Sequence, residues 1–327
     1  MLSLFLVNVI SYAIVFGVEL ILMLFMSQEQ ILDLYNNPYF STLLGSLPIY
    51  TFGLSALYLV IRRLPKKRFA RTGMRFGEFL ALIPISQVLM TLGNIVGISF
   101  NAAIEAVKGS DVTNSTTEML AETPIWLTVI LAVIIGPIVE EFIFRKLLMD
   151  RLAIYGNIFA IVITSVAFGL FHGNFYQFFY ATLLGFVLGY VAVKSGNWLW
   201  SVLLHMIMNF IGGVIPTLLE DSVNKVLELE EILMGSSMTE FNIADYSEYM
   251  PHLLVYSIYT MFINALLIGG AVMLVLAIVK RKRWIKVTNH CTVKIPRGRV
   301  GNVVFANVGT ILFLVSSALI MLMSILI

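Results

Sequence analysis

Nine apolar stretches, at about 2–26, 41–61, 79–100, 125–149, 157–172, 178–193, 198–218, 253–279 and 303–327, decide what this chain can become. A helix rises about 1.5 Å per residue, so roughly 20 apolar residues cross a hydrocarbon layer about 30 Å thick. The stretches 157–172 and 178–193 fall on the short side of that length. The chain is 59% hydrophobic and only 12% charged, a composition foreign to soluble domains. The expected fold is all-α, a polytopic membrane helical bundle of about eight to nine transmembrane helices. No removable signal peptide is expected, because 2–26 lacks a basic leading segment and is long enough to span. A single cysteine, Cys291, rules out an internal disulfide and a Cys-rich metal site.

Charge is strongly segregated. The connection from Arg62 to Arg75 carries seven Lys/Arg and that from Lys280 to Arg299 carries eight. The connections 27–40, 101–124 and 219–252 hold only Lys108 and Lys225, with most of the acids. Lys and Arg accumulate on the cytoplasmic side, so a multi-pass plasma-membrane protein is expected, with a cytoplasmic N-terminus and an external C-terminus. The chain divides into an N-terminal hairpin with its basic loop (1–75), a membrane core (76–279, with a motif-bearing region at 124–212), and a basic loop with the last span (280–327). The segment 219–251 is patterned loosely like an amphipathic helix, although a solvated loop is its plainer reading. The basic segment 280–300 reads more simply as a topogenic signal than as a headgroup-binding surface. Gly185-x-x-x-Gly189 reads as close helix packing. Glu19 has no partner spaced to meet it. His252 and His290 lie at an edge and in a basic loop, where they read as incidental.

The chemistry concentrates at Ile134-Ile-Gly-Pro-Ile-Val-Glu-Glu-Phe-Ile-Phe-Arg145. Carboxylates in hydrocarbon are costly, so Glu140 and Glu141 point to function. Glu141 and Arg145 share a helix face and can pair. Glu140 points about 100° away and is left for another task. Pro137 removes one backbone donor and Gly136 loosens the turn, which predicts a kink and a wet cavity at Glu140. Glu140 precedes Gly156 by as many residues as His172 follows it, so a helical hairpin sets them at matching depth. His205 and Asn209, four apart, share a third helix face. A lone pair of this kind in a soluble helix is usually a surface ion pair, and a lone apolar-span histidine a packed one. Together, in lipid, they supply a base for water and donors for an oxyanion. A carboxylate with two imidazoles also resembles a zinc ligand set, although no His-Glu-x-x-His helix is present.

At these residues the sequence resembles the CPBP family of intramembrane proteases, which includes CaaX proteases and bacteriocin-processing (Abi) enzymes. Its motifs stand as Glu140-Glu141-x-x-x-Arg145, Phe168-x-x-x-His172 and His205-x-x-x-Asn209, in family order and each in its own span. The resemblance implies an endopeptidase in which Glu140 polarises water and Glu141 with Arg145 forms a supporting pair. It implies further that His172 helps to hold that water, while His205 and Asn209 form the oxyanion site. Family members have been described both as metalloproteases and as glutamate proteases. The expectation favours a glutamate mechanism needing no cofactor; a zinc ion, if used, would sit on Glu140, His172 and His205. The expected partners are a peptide or membrane-protein substrate, the lipid bilayer and a partner membrane protein, with no nucleic acid. Bacterial peptide processing, self-immunity or regulation fits better than prenyl-protein processing. Two rival readings are a non-catalytic scaffold binding a partner membrane protein, and a transporter with a Glu/His proton relay. The absence of inverted repeats weighs against the transporter.

Overall fold

The structure is a computed structural model that describes residues 1–67, 69–235, 247–279, 287 and 291–326. Among these the secondary structure is helical, with no strand. Eight helices are long and apolar enough to span: α1 (Leu2–Phe25), α2 (Pro38–Ile61), α3 (Phe76–Lys108), α4 (Ile125–Tyr155), α6 (Phe175–Ser195), α7 (Leu199–Leu218), α9 (Ser247–Val279) and α10 (Val308–Leu326). Between α4 and α6 lies α5 (Asn157–Phe171), apolar but shorter. The stretch expected at 178–193 is therefore a full-length span, and only the one at 157–172 stays short.

Two opposed faces follow from the contacts at the helix ends. On the basic face, Lys67 N–H donates to Asp150 O at 2.7 Å, while Thr292 and Val293 N–H both donate to Ile154 O. Gly73 N–H reaches Ser195 O there, at 3.2 Å. Leu2 packs on Gly309 at the same level, so α1 and α10 both start on this face. On the other face Tyr176 Oη donates to Val112 O at 3.1 Å, and Lys108 Nζ donates to Ile325 O at 2.6 Å. The two ends of the described chain thus sit on opposite faces, as alternating loop charge requires.

The segment 219–251 departs from its plainer reading. Glu220–Gly235 is a helix, α8, packed on α9, and Leu229 on it is buried. Tyr249 Oη donates to Glu228 at 2.9 Å, and His252 sits 3.2 Å from Ser222 Oγ and 3.6 Å from an Asp221 oxygen. His252, expected to be incidental, therefore helps to join α8 to α9. Glu19 lies within electrostatic reach of Tyr35 and away from the motif residues. His290 and most of 280–290 fall outside the described residues, as does 236–246.

The centre of the bundle is α4 and α6. Half of each spanning window is buried, against 11% for α9. One core cluster joins Leu4 and Val7 of α1, Leu57 of α2, Phe144 and Leu148 of α4, Phe168 of α5 and Phe313 of α10. In lipid the gain comes from close packing rather than from exclusion of water, which favours small residues at crossings. A Cβ on Gly185 would meet Ser165 Cα at 3.1 Å, and one on Gly93 would meet Tyr180 Cα at 2.5 Å. Gly185 packs α6 on α5 as its spacing suggested, and Gly93 does the same for α3 on α6.

Candidate functional site

The site begins with irregular backbone in α4. Residues Val129–Ile135 and Phe142–Leu148 form wide π-helical turns on either side of Gly136–Glu141. Such turns recur at functional sites because they free carbonyls and re-aim side chains. The loosening expected at Gly136-Pro137 takes this form. Gly136 N–H donates to Leu131 O, five residues back. The next donor in that pattern would be Pro137, which has no N–H, so Ala132 O is left over. Asn209 of α7 supplies the missing donor, its Nδ2 lying 2.8 Å from Ala132 O.

Glu141 and Arg145 pair as their spacing predicts. Arg145 Nε donates to Glu141 Oε2 at 3.0 Å, and both side chains are fully buried. Arg145 Nη1 donates to Thr164 Oγ1 at 3.2 Å, and its guanidinium carbon lies 5.4 Å from the Phe168 ring centroid. Nη2 of the same guanidinium has no hydrogen-bond partner. A buried ion pair is sustained only by such additional contacts, because desolvation opposes it.

His205 stands against both carboxylates. Its Nδ1 is 3.3 Å from Glu141 Oε1, and its Nε2 is 3.8 Å from Glu140 Oε2. Glu141, ionised against Arg145, can only accept, so Nδ1–H donates and Nε2 is the nitrogen presented to Glu140. Ser201, one turn before His205, also lies within hydrogen-bond reach of Glu141. Glu140 is the open member of the pair, with a side chain 21% exposed. Gly136 keeps space beside it: a Cβ there would lie 3.1 Å from Tyr50 Oη and 3.9 Å from Glu140 Oε1. Tyr50 and Tyr180 are both within electrostatic reach of Glu140.

The hairpin register also holds. Phe144 and Phe168, equidistant from Gly156, meet edge to face at 5.2 Å. His172 nevertheless turns inward on its own helix end: Nδ1–H donates to Phe168 O at 2.8 Å, and the ring packs 4.8 Å from that of Phe168. Phe168 in turn lies 5.6 Å from the His205 ring. So Glu140, Glu141, Arg145 and His205 are brought together, Asn209 joins through Ala132, and His172 joins through the Phe168 ring.

A cavity of about 530 Å³ has Arg145 and Lys146 in its lining, and it lies apart from Glu140. The alternative zinc set of Glu140, His172 and His205 is not gathered round one point in this structure. Among the described residues no three His, Cys, Asp or Glu side chains are grouped to hold an ion. Nδ1 of each imidazole is held, by Phe168 O and by Glu141, which leaves Nε2 as the nitrogen that either ring can offer to a ligand. No step through a metal is derived from this geometry.

Sequence reasoning passed over Phe168 as a site residue, together with Thr164, Ser201, Tyr50 and Tyr180. Three of these were visible in stripes: Ser201, His205 and Asn209 recur every four residues, as do Thr164, Phe168 and His172. Tyr50 and Tyr180 carried no such signal, because their proximity is purely tertiary.

A helical membrane protein with a buried ion pair, an open glutamate and an imidazole between them is the class that fold and site define. Residues 122–211 match the family described as type II CAAX prenyl endopeptidase Rce1-like. The chain is also 27% identical over 164 residues to the Bacillus subtilis (strain 168) protein named "Putative membrane peptidase YdiL", covering 48% of this chain and 64% of that protein. It thus spans a little under two thirds of the length of that curated relative. No solved structure matches the chain. The resemblance to the CPBP family drawn from the three motifs holds for the segment that contains them.

Proposed function

We propose that this chain is an intramembrane endopeptidase that hydrolyses a peptide bond in a membrane-associated peptide or protein, using water activated by Glu140. The observation that carries the reading is the 3.8 Å approach of His205 Nε2 to Glu140 Oε2, with Nδ1 anchored on the Glu141–Arg145 pair. Glu140, the exposed carboxylate, takes a proton from water as the oxygen attacks the carbonyl carbon. His205, held by Glu141, presents Nε2 where negative charge or a departing amine develops, and can hold or pass a proton there. Asn209 keeps one amide hydrogen beyond the one given to Ala132 and can direct it to the same oxyanion. His172 has Nε2 free of the Phe168 bond and can help to hold the water.

The reaction as proposed needs no cofactor, since base and oxyanion donors are both side chains. The surroundings are a lipid bilayer, with the basic face cytoplasmic, the N-terminus on that side and the protein in the plasma membrane. Bacterial peptide processing, self-immunity or regulation remains the proposed role.

The test compares, by mass spectrometry, small peptides released from membranes holding the wild type or Glu140→Gln. Gln keeps shape and hydrogen bonding but cannot accept the proton. A peptide present only with the wild type supports the reading and names the substrate. Identical profiles from equally expressed proteins would favour a scaffold that binds a partner membrane protein.

A further inference from the structure

Lys66, Arg71, Arg145 and Lys146 line one cavity on the basic face. We propose that this cavity binds a phosphate-bearing anion, the headgroup of an anionic phospholipid on the basic face. At about 530 Å³ it is of the size that holds small ligands. Four cations line it against one acid, Asp150, which is already held by Lys146 Nζ at 3.0 Å. Arg145, 1% exposed overall, spends Nε on Glu141 and Nη1 on Thr164, leaving Nη2 buried without a partner. Arg71, which is exposed, brings a second guanidinium to the lining, and guanidinium suits phosphate geometry.

A basic loop beside a membrane is ordinarily solvated and serves only to orient the chain. This one is built into a wall. Lys67 N–H is fixed on Asp150 O at 2.7 Å, and Thr72 Oγ1 on Lys194 O at 2.6 Å. Gly196, with φ of +66°, lets the chain turn where a Cβ would strike Ala70 O. The cations are therefore held around a fixed volume. Its remaining wall includes Trp198 and Leu199, and Leu199 is 55% exposed. A phosphate among the cations with acyl chains along Leu199 matches both halves of this lining, and anionic lipid is drawn to such clusters. A free phosphate would satisfy only the polar half.

The inference does not rest on the peptidase reading, because binding is measured directly. Full-length protein in nanodiscs of phosphatidylcholine with a minor share of phosphatidylglycerol is released into native mass spectrometry, and retained lipids are counted. The wild type is expected to retain phosphatidylglycerol in preference to phosphatidylcholine by about tenfold or more. Lys66→Gln with Arg71→Gln, both at exposed positions, should abolish the preference while melting with the wild type in pure phosphatidylcholine. Millimolar inorganic phosphate should leave retention unchanged. Equal retention of the two lipids, or a preference that survives both substitutions, would overturn the proposal. Displacement of the lipid by inorganic phosphate would overturn the lipid assignment in favour of a free-anion site.

Discussion

Asn209 donates through Nδ2 to the carbonyl oxygen of Ala132 at 2.8 Å, in the register position where Pro137 has no N–H to offer. A side chain of α7 thus completes the backbone of α4, and the two helices that carry the site are tied at the point where one is irregular.

That relationship predicts a specific coupling. Asn209→Ala leaves the part-buried Ala132 O without this donor and should lower stability by about 1 kcal/mol. In a Pro137→Ala background, which restores a backbone N–H, the same change should have a clearly smaller effect. Thermal melts of the four proteins in detergent measure it. Strictly additive losses would mean that the two residues do not serve the same carbonyl.

Removing one member of the buried ion pair should be more damaging than replacing both. Arg145→Ala strands the Glu141 carboxylate and is expected to destabilise by about 3–5 kcal/mol. Glu141→Gln with Arg145→Met leaves no uncompensated charge, so it should recover part of the melting temperature while staying inactive. An unchanged melting temperature in Arg145→Ala would refute the pair.

Phe168 touches both imidazoles and the guanidinium. Phe168→Ala should destabilise by about 3–5 kcal/mol through loss of packing. Phe168→Leu keeps most of the volume and should melt near the wild type, yet lower peptide release because the two histidine rings lose their spacer. Full activity in the Leu variant would reduce the ring to filler.

Chelation tests the metal question directly. Incubation with EDTA or phenanthroline, followed by removal of the chelator, should leave peptide release intact. Clean loss that zinc restores would assign the site to metal chemistry after all.

On the acidic face, pH should act through Glu228. Its hydrogen bonds from Lys225 and then Tyr249 hold its carboxyl below the usual value of 4.5. A depressed carboxylate pKa contributes stability that is present above the unfolded value and is lost as pH falls through the folded one. Lys225 and Glu228 are both exposed, so the effect is small and screened by salt. Hydrogen exchange in 220–235 should therefore be faster in Lys225→Gln than in the wild type at neutral pH. The two should converge once the pH lies well below 4.5. A difference that persists in acid would point to packing instead of charge.

The helices and the pairing of Glu141 with Arg145 were legible because both follow from local rules: apolar length and four-residue spacing. The hairpin register was legible for the same reason, through Gly156. What could not be read was tertiary. Nothing in the sequence says that Asn209 would spend a hydrogen on Ala132, because π-helical registers are set by packing. Nor does spacing show that His172 would turn to its own Phe168 carbonyl, or that a cavity would form beside Arg145 and Lys146. The helix at 220–235 was half visible, since its pattern was weak and its stability comes from docking on α9.

The packing of α1 against α10 has a consequence in time. On the ribosome α1 emerges well before α10, so their contact closes only after the spans between them have been delivered to the bilayer. Until then the face of α1 that will receive Phe313 is bordered by lipid or by the insertion machinery. Assembly of this contact therefore waits on α10, and a truncation before α10 would leave α1 without that neighbour.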